Sequence, residues 1–305
     1  ELSNGSEIPA IGFGTYKLTG NESVELIKHA IKTGYRLFDT AFAYGNEAVL
    51  GKALKESFAD DTVRRSDVYI VTKLGACFHS RDNVIKSCEL SLAKLKLDYV
   101  DLFLIHSPAS LKYHNDETLR PLDKDGNLDF DQIDPLETWK GMEDCYRKGL
   151  TKNIGVSNFN ILQLQEILNN SEVKPIVNQV ECSVGFNQIE LRNFCEKNGI
   201  TVMAYTPLGR PNFDLKTPKY FFDKQFLEIA QKYGKQPAQI ALRYLIQCKI
   251  IPIPKTQTQS RMEENFNIFD FQLNDDEIDL INSLNTGERL IKLDAYIPHK
   301  YYPFN

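Results

Sequence analysis

No C-x-x-C and no other paired cysteine spacing occurs in the chain. Its six cysteines (77, 88, 145, 182, 195 and 248) are scattered. That pattern argues against a zinc site or a disulfide frame and favours reduced thiols in a cytoplasmic protein. Basic patches are missing too: 41 acidic against 36 basic residues leave a net charge of −5. Nucleic acid and anionic membrane are therefore not expected as partners. No apolar run approaches the roughly 20 residues needed to span a bilayer. There is no signal-peptide pattern, and the first residue, Glu1, is not Met, so a trimmed or processed start is expected. The glycine fingerprint of a doubly wound dinucleotide-binding sheet, G-x-G-x-x-G, is incomplete. Gly12 and Gly14 supply its first half, but Lys17 stands where the third glycine belongs.

What is present is an ordinary globular composition, 42% hydrophobic and 25% charged over 305 residues. Short apolar runs recur at 11–14, 35–39, 68–74, 100–106, 152–157, 176–182, 201–207 and 250–254. They are rich in Val, Ile, Leu and Phe without strict alternation, as strands covered on both faces are. Helical patterns lie between them. Val24, Ile27 and Ile31 repeat at helical spacing, as do Val84, Cys88, Leu92 and Leu95, while Leu136, Trp139 and Tyr146 mark another face. Residues 234–247 read as a helix with Pro237 in its first turn, and Asn274 with Glu277 caps a final one. Eight strands, each followed by a helix, predict an α/β fold, a (β/α)8 TIM barrel occupying 1–305 as one domain. An N-terminal hairpin turning at Asn4-Gly5 is expected to cap it. Long polar loops at 107–134 and 208–223 fall on the βα side, where such barrels build their sites, and the tail 285–305 is expected over the mouth.

Polar groups appear where the apolar runs stop. Asp39 ends the second run and Tyr44 follows it; Lys73 lies near the end of the third; His106 ends the fourth. Singly, each has a plainer reading: a buried ion pair, a packing tyrosine, a histidine bonded to a loop carbonyl. Together on one rim they fit carbonyl reduction. An oxygen that gains electron density from a hydride needs a proton, and tyrosine, with a pKa near 10, is a poor acid–base group at pH 7. A nearby ammonium is expected to lower that pKa. Asp39 would keep Lys73 charged and in place, and His106 would orient the carbonyl oxygen.

Seven stretches, "GYRLFDTAFAYGNE", "VTKL", "LIHSP", "GLTKNIGVSNF", "NQVEC", "AYTPLG" and "IPKTQTQSRMEEN", occur in this order. On them the chain resembles the aldo-keto reductase family over essentially its whole length. The kinship is aldose-reductase-like, with an insect-type ketosteroid (3-dehydroecdysone) reductase as a narrower resemblance. It implies a barrel that binds NADPH without a Rossmann motif, and a tetrad of Asp39, Tyr44, Lys73 and His106 with Tyr44 as proton donor. It also implies a nicotinamide carboxamide held by Ser157, Asn158 and Gln179, and a ring stacked on Tyr205. Lys255, Thr256 and Arg261 would surround the 2′-phosphate, and Glu264 and Asn265 the adenine. Thr15, Tyr16, Asp39, Leu208 and Thr258 complete the implied cofactor contacts. Tyr16, Phe42, Tyr44, His106, Ser107 and Arg120 are the implied substrate-facing residues.

Several aromatic pocket positions of aldose-type members are altered. Tyr16 replaces a usual tryptophan, Ser107 a tryptophan or phenylalanine, and Arg120 a phenylalanine; "SVG" follows "NQVEC"; and Phe42 replaces a more polar residue. A wider, more polar mouth is expected, suited to a bulky hydroxyl-bearing carbonyl such as a ketosteroid of the ecdysteroid kind, besides generic aldehydes. The chain is expected to act as a monomer on a small molecule. Two other readings stand beside this one. A non-catalytic binding or structural protein of the same fold is disfavoured by the intact tetrad. An enone reductase usually carries Glu at the position of His106.

Overall fold

The eight apolar runs fold as eight parallel strands that follow one another around a barrel in chain order. The computed structural model describes residues 1–304. The elements are β1 (Gly12–Gly14), α1 (Asn21–Thr33), β2 (Leu37–Asp39), α2 (Glu47–Ala59), β3 (Tyr69–Lys73), α3 (Arg81–Leu95), β4 (Leu102–Ile105) and α4 (Pro135–Arg147). They continue with β5 (Ile154–Ser157), α5 (Ile161–Asn170), β6 (Val177–Glu181), α6 (Ile189–Lys197), β7 (Thr201–Tyr205), α7 (Lys224–Tyr233), α8 (Pro237–Gln247), β8 (Ile250–Pro252), α9 (Gln259–Phe266) and α10 (Asp275–Ser283). Every neighbouring pair from β1–β2 to β7–β8 is parallel. At the seam, Gly14 N–H donates to Pro254 O at 3.1 Å and draws the two ends of the sheet together. This is the expected (β/α)8 TIM barrel.

Two apolar layers hold it. Inside the barrel, Leu37, Val71, Leu102, Leu104, Val177 and Met203 form one cluster. Outside, a larger cluster joins the outward strand residues to the helices. Gly12 is required in the inner layer: a β-carbon there would lie 2.4 Å from Leu37 Cδ2. The N-terminal segment closes the barrel floor, where Leu2 and Ile8 join the inner cluster. Burying a leucine such as Leu2 contributes about 1.5–3 kcal/mol. The expected hairpin here is a single turn, closed by Gly5 N–H to Leu2 O and Leu2 N–H to Ser6 O. It has no paired strands, because the chain after it is drawn into the barrel floor instead of back along itself.

Two helix expectations shift in detail. The helix read over 234–247 starts at Pro237, because Gly234 adopts a left-handed φ of 63° and ends α7. Asn274 and Glu277 form the expected capping box of α10. The long loop after β4 carries a small antiparallel excursion of its own, bridging Leu111 to Phe130 and Leu122 to Leu128. The tail crosses the mouth. Leu290 and Ile291 N–H donate to the two oxygens of Glu181, and Asn160 and Gln163 side chains donate to Pro303 O and Tyr301 O. His299 binds Asp131 O, 2.7 Å away in the long loop. Among the described residues no helix is long and apolar enough to cross a membrane.

Candidate active site

Strand alternation builds the site. Side chains two apart on a strand share a face, and strand register aligns those faces around the barrel. Leu37, Val71, Leu104, Val177 and Met203 all lie in the inner cluster. Two residues further along each strand come Asp39, Lys73, His106, Gln179 and Tyr205. Each of these therefore stands one layer above the apolar floor, at the C-terminal mouth.

Lys73 is fully buried and uses all three donors. Its Nζ lies 2.6 Å from Asp39 Oδ1, 2.9 Å from Thr40 O and 3.3 Å from Tyr44 Oη. A buried charge is tolerated only when paired and hydrogen-bonded in this way. Asp39 Oδ2 is taken by Gln179 Nε2 at 2.7 Å. Tyr44 follows β2 in a one-turn 3-10 segment, Phe42–Tyr44, ended by Gly45 at φ 65°. Its ring meets His106 edge-on at 5.8 Å and Tyr16 at 5.0 Å between centroids. Because the phenol oxygen accepts from Lys73, its O–H is left to point into the mouth.

The electrostatics differ from the expectation that Lys73 lowers the phenol's pKa. Burial, then the Asp39 carboxylate, then Tyr16 hold Tyr44 well above its usual range. Asp39 sits so close to Lys73 that the phenol faces a nearly neutral pair, and desolvation of a phenolate dominates. Burial likewise pushes Lys73 down, against the pull of Asp39. Burial first, then Lys73, push His106 down to about 3. At neutral pH the site thus holds a protonated phenol and a neutral imidazole, which has one N–H to give to a carbonyl oxygen.

The remaining polar residues form one network. Asn158 takes a left-handed φ of 62°, which asparagine tolerates. Its Oδ1 accepts from Tyr205 Oη at 2.7 Å, and its Nδ2 donates to His106 O at 2.9 Å and Ser157 Oγ at 3.2 Å. Ser157 Oγ donates to Gln179 O at 2.8 Å. The Gln179 amide oxygen carries no bond among the described residues, so an amide donor could be met there. Thr15 is buried, its Oγ1 donating to Asp39 O. Leu208 is half-buried against the outer cluster. Past β8, Lys255 and Arg261 are exposed. Thr256 Oγ1 accepts from Thr258 N–H at 3.1 Å. Glu264 is exposed on α9, and Asn265 beside it is buried.

Three residues were not expected at the site from the sequence. Lys17 lies near enough to Lys255 that, after partial burial, its charge helps push the Lys255 ammonium's pKa down. Neither cation has a carboxylate partner among the described residues, so an anion between them would relieve both. Asn46 is buried; its Oδ1 accepts from Thr40 Oγ1 and its Nδ2 donates to Thr15 O and Leu18 O. It stands at the N-cap of α2 yet makes no side-chain cap bond. Leu119 is the third: a β-carbon on Gly45 would lie 3.8 Å from its Cδ1.

One expected substrate contact is placed otherwise. Phe42 does not face the mouth. It is 1% exposed, packs edge-on against Phe78 at 5.0 Å, and has Lys94 Nζ 3.9 Å from its ring centroid. The 3-10 turn rotates it into the outer core and leaves Ala43 exposed. Arg120 is exposed beside Tyr296 of the tail, and its neighbour Leu119 approaches the Tyr44 turn. Ser107 is half-buried, with its Oγ accepting from Ala109 N–H at 3.3 Å. Tyr16 remains half exposed at the rim.

Known proteins share this sequence pattern and this fold. The profile of the Aldo/keto reductase family matches residues 10–286. The prostaglandin-E(2) 9-reductase of Oryctolagus cuniculus is 41% identical over 313 residues, spanning 100% of this chain and 96% of that protein. The aldose reductase of Schistosoma japonicum superposes with a TM-score of 0.93 at 40% identity, covering 100% of this chain and 97% of the other. An aldo-keto reductase of Bombyx mori solved in complex with NADP gives a TM-score of 0.89 at 37% identity, covering 99% and 97%. Matched by the family profile along nearly its whole length, and by full-length relatives at this identity, the chain belongs to the aldo/keto reductase family of NADP-dependent oxidoreductases.

Proposed function

We propose that the chain reduces aldehydes and ketones to alcohols with NADPH, with Tyr44 as the proton donor. The supporting observation is the orientation of the phenol: Lys73 donates to its oxygen, so the O–H is free for the substrate. Asp39 holds Lys73, and the neutral His106 donates to the carbonyl oxygen and orients it. NADPH would supply the hydride. Ser157, Asn158 and Gln179 would hold its carboxamide, and Tyr205 its nicotinamide ring, with Thr15, Tyr16, Asp39 and Leu208 beside them. Lys17, Lys255 and Arg261, which have no carboxylate partner among the described residues, would with Thr256 and Thr258 hold its phosphates; Glu264 and Asn265 would face the adenine. The chain works as one domain, a monomer in the cytoplasm, which size-exclusion chromatography with light scattering and fractionation of the source cells would check.

Arg261→Ala tests the cofactor reading. A charge-assisted hydrogen bond contributes about 1.5–3 kcal/mol, so NADPH affinity should fall about 10–100-fold while NADH affinity barely changes. Equal weakening of both cofactors would remove Arg261 from the 2′-phosphate.

The substrate we infer is a bulky, hydroxyl-bearing carbonyl, such as a 3-ketosteroid of the ecdysteroid kind, besides generic aldehydes. Small or withdrawn side chains beside the tetrad support this: Ala43 next to Tyr44, Ser107 next to His106, and Phe42 buried in the core. A prostaglandin reductase among the relatives is consistent with a wide mouth. In a kcat/KM panel, 3-ketosteroids should match or exceed short aldehydes. Activity confined to short aldehydes and sugars would refute the steroid reading and leave the reductase reading intact.

A further inference from the structure

A second cleft, of about 640 Å³, lies between the start of α5, the start of α6 and the C-terminal tail. That volume falls within the range of small-molecule sites. Leu162, Val180 and Ile189 line one part of it; Phe186, Phe304 and Arg289 line another. Leu162 and Ile189 are 77% and 49% exposed, so the cleft has an apolar rim open to solvent.

Arg289 gives the cleft its chemistry. Its guanidinium carbon lies 3.6 Å from the Phe304 ring centroid and 4.6 Å from that of Phe186. Packed between two rings, the guanidinium can bond only in its own plane. There, Nη1 is buried and has no partner. Glu181, whose charge acts on Arg289, makes no bond to the guanidinium among the described residues; its two oxygens accept from Leu290 and Ile291 N–H, at 2.9 and 2.7 Å. A buried guanidinium nitrogen without an acceptor is costly, and a carboxylate matches its planar fork. The apolar walls call for a hydrocarbon body behind that carboxylate. Glu190 at the exposed rim disfavours a second negative charge.

We propose that this cleft is a second ligand site, separate from the barrel mouth, for a medium-chain aliphatic monocarboxylate. The carboxylate meets Arg289 in the guanidinium plane, and the chain lies against Leu162, Val180 and Ile189.

Decanoate, titrated calorimetrically into the full chain saturated with NADP+, tests this. Wild type and Tyr44→Phe should bind it equally well. Leu162→Glu and Ile189→Glu, which alter exposed positions and leave the fold intact, should each weaken it at least 10-fold, as should Arg289→Gln. Decanol should bind at least 10-fold more weakly than decanoate. Absence of decanoate binding to wild type would overturn the proposal. So would binding unchanged by either rim glutamate, or weakened by Tyr44→Phe, since either places the acid at the catalytic mouth. Equal binding of decanol would show that Arg289 takes no part.

Discussion

Replacing Tyr44 with phenylalanine lowers kcat for carbonyl reduction by about 10²–10⁴-fold, the span expected for loss of a positioned general acid. That loss corresponds to about 3–5 kcal/mol of transition-state stabilisation. The substitution is narrow. The ring that meets His106 and Tyr16 stays, and Lys73 keeps two of its three acceptors, Asp39 and Thr40 O. NADPH affinity is therefore retained, and the deficit falls on kcat. NADPH consumption with 4-nitrobenzaldehyde measures it. Full activity in Tyr44→Phe would remove the proton-donor assignment, whereas a wild type that consumes no NADPH would bring back the reading of a site that binds without catalysing.

The second large effect is on stability. Asp39→Leu strips the fully buried Lys73 of its counter-ion, and removing one partner of a buried pair costs about 3–5 kcal/mol. Loss of the lysine's proton limits the damage, since a group with a normal pKa near 10.4 can shed its charge at pH 7 for about 4–5 kcal/mol. Adding Lys73→Met to Asp39→Leu removes the stranded charge and should restore most of the stability. Urea unfolding of wild type, both single variants and the double variant gives the coupling. Strict additivity would mean that the pair contributes no mutual stabilisation and that its contacts are incidental to the fold.

The clustering of Asp39, Tyr44, Lys73 and His106 was legible because an acid, a lysine and a histidine each interrupted an apolar run at its end. Strand alternation then left them one layer above the core, where no apolar neighbour could share their place. Phe42 was misplaced because it sits in a 3-10 turn, where sequence spacing does not tell which way a side chain points. The Tyr44 environment was misjudged in sign. Neighbouring charges could be read from the sequence, but how closely Asp39 compensates Lys73, and how deeply the phenol is desolvated, are three-dimensional quantities. Asn46 was not marked out by the sequence, since nothing local shows that its amide turns away from α2 to reach Thr15 and Leu18. Glu181 was hidden for the same reason: its partners, Leu290 and Ile291, lie more than a hundred residues away.

Asn46 has a consequence for how the mouth moves. One amide fastens the β1–α1 connection, the end of β2 and the start of α2 to a single point. The loop bearing Tyr16 and the loop bearing Tyr44 then lose their independent degrees of freedom and travel as one body, keeping their rings in register. The long loop after β4 and the tail are joined to each other through His299 and Asp131. The mouth thus has two fastened sides, one carrying Tyr16 and Tyr44 on a common anchor, the other made of the long loop and the tail and tied to β6 and α5 through Glu181, Asn160 and Gln163.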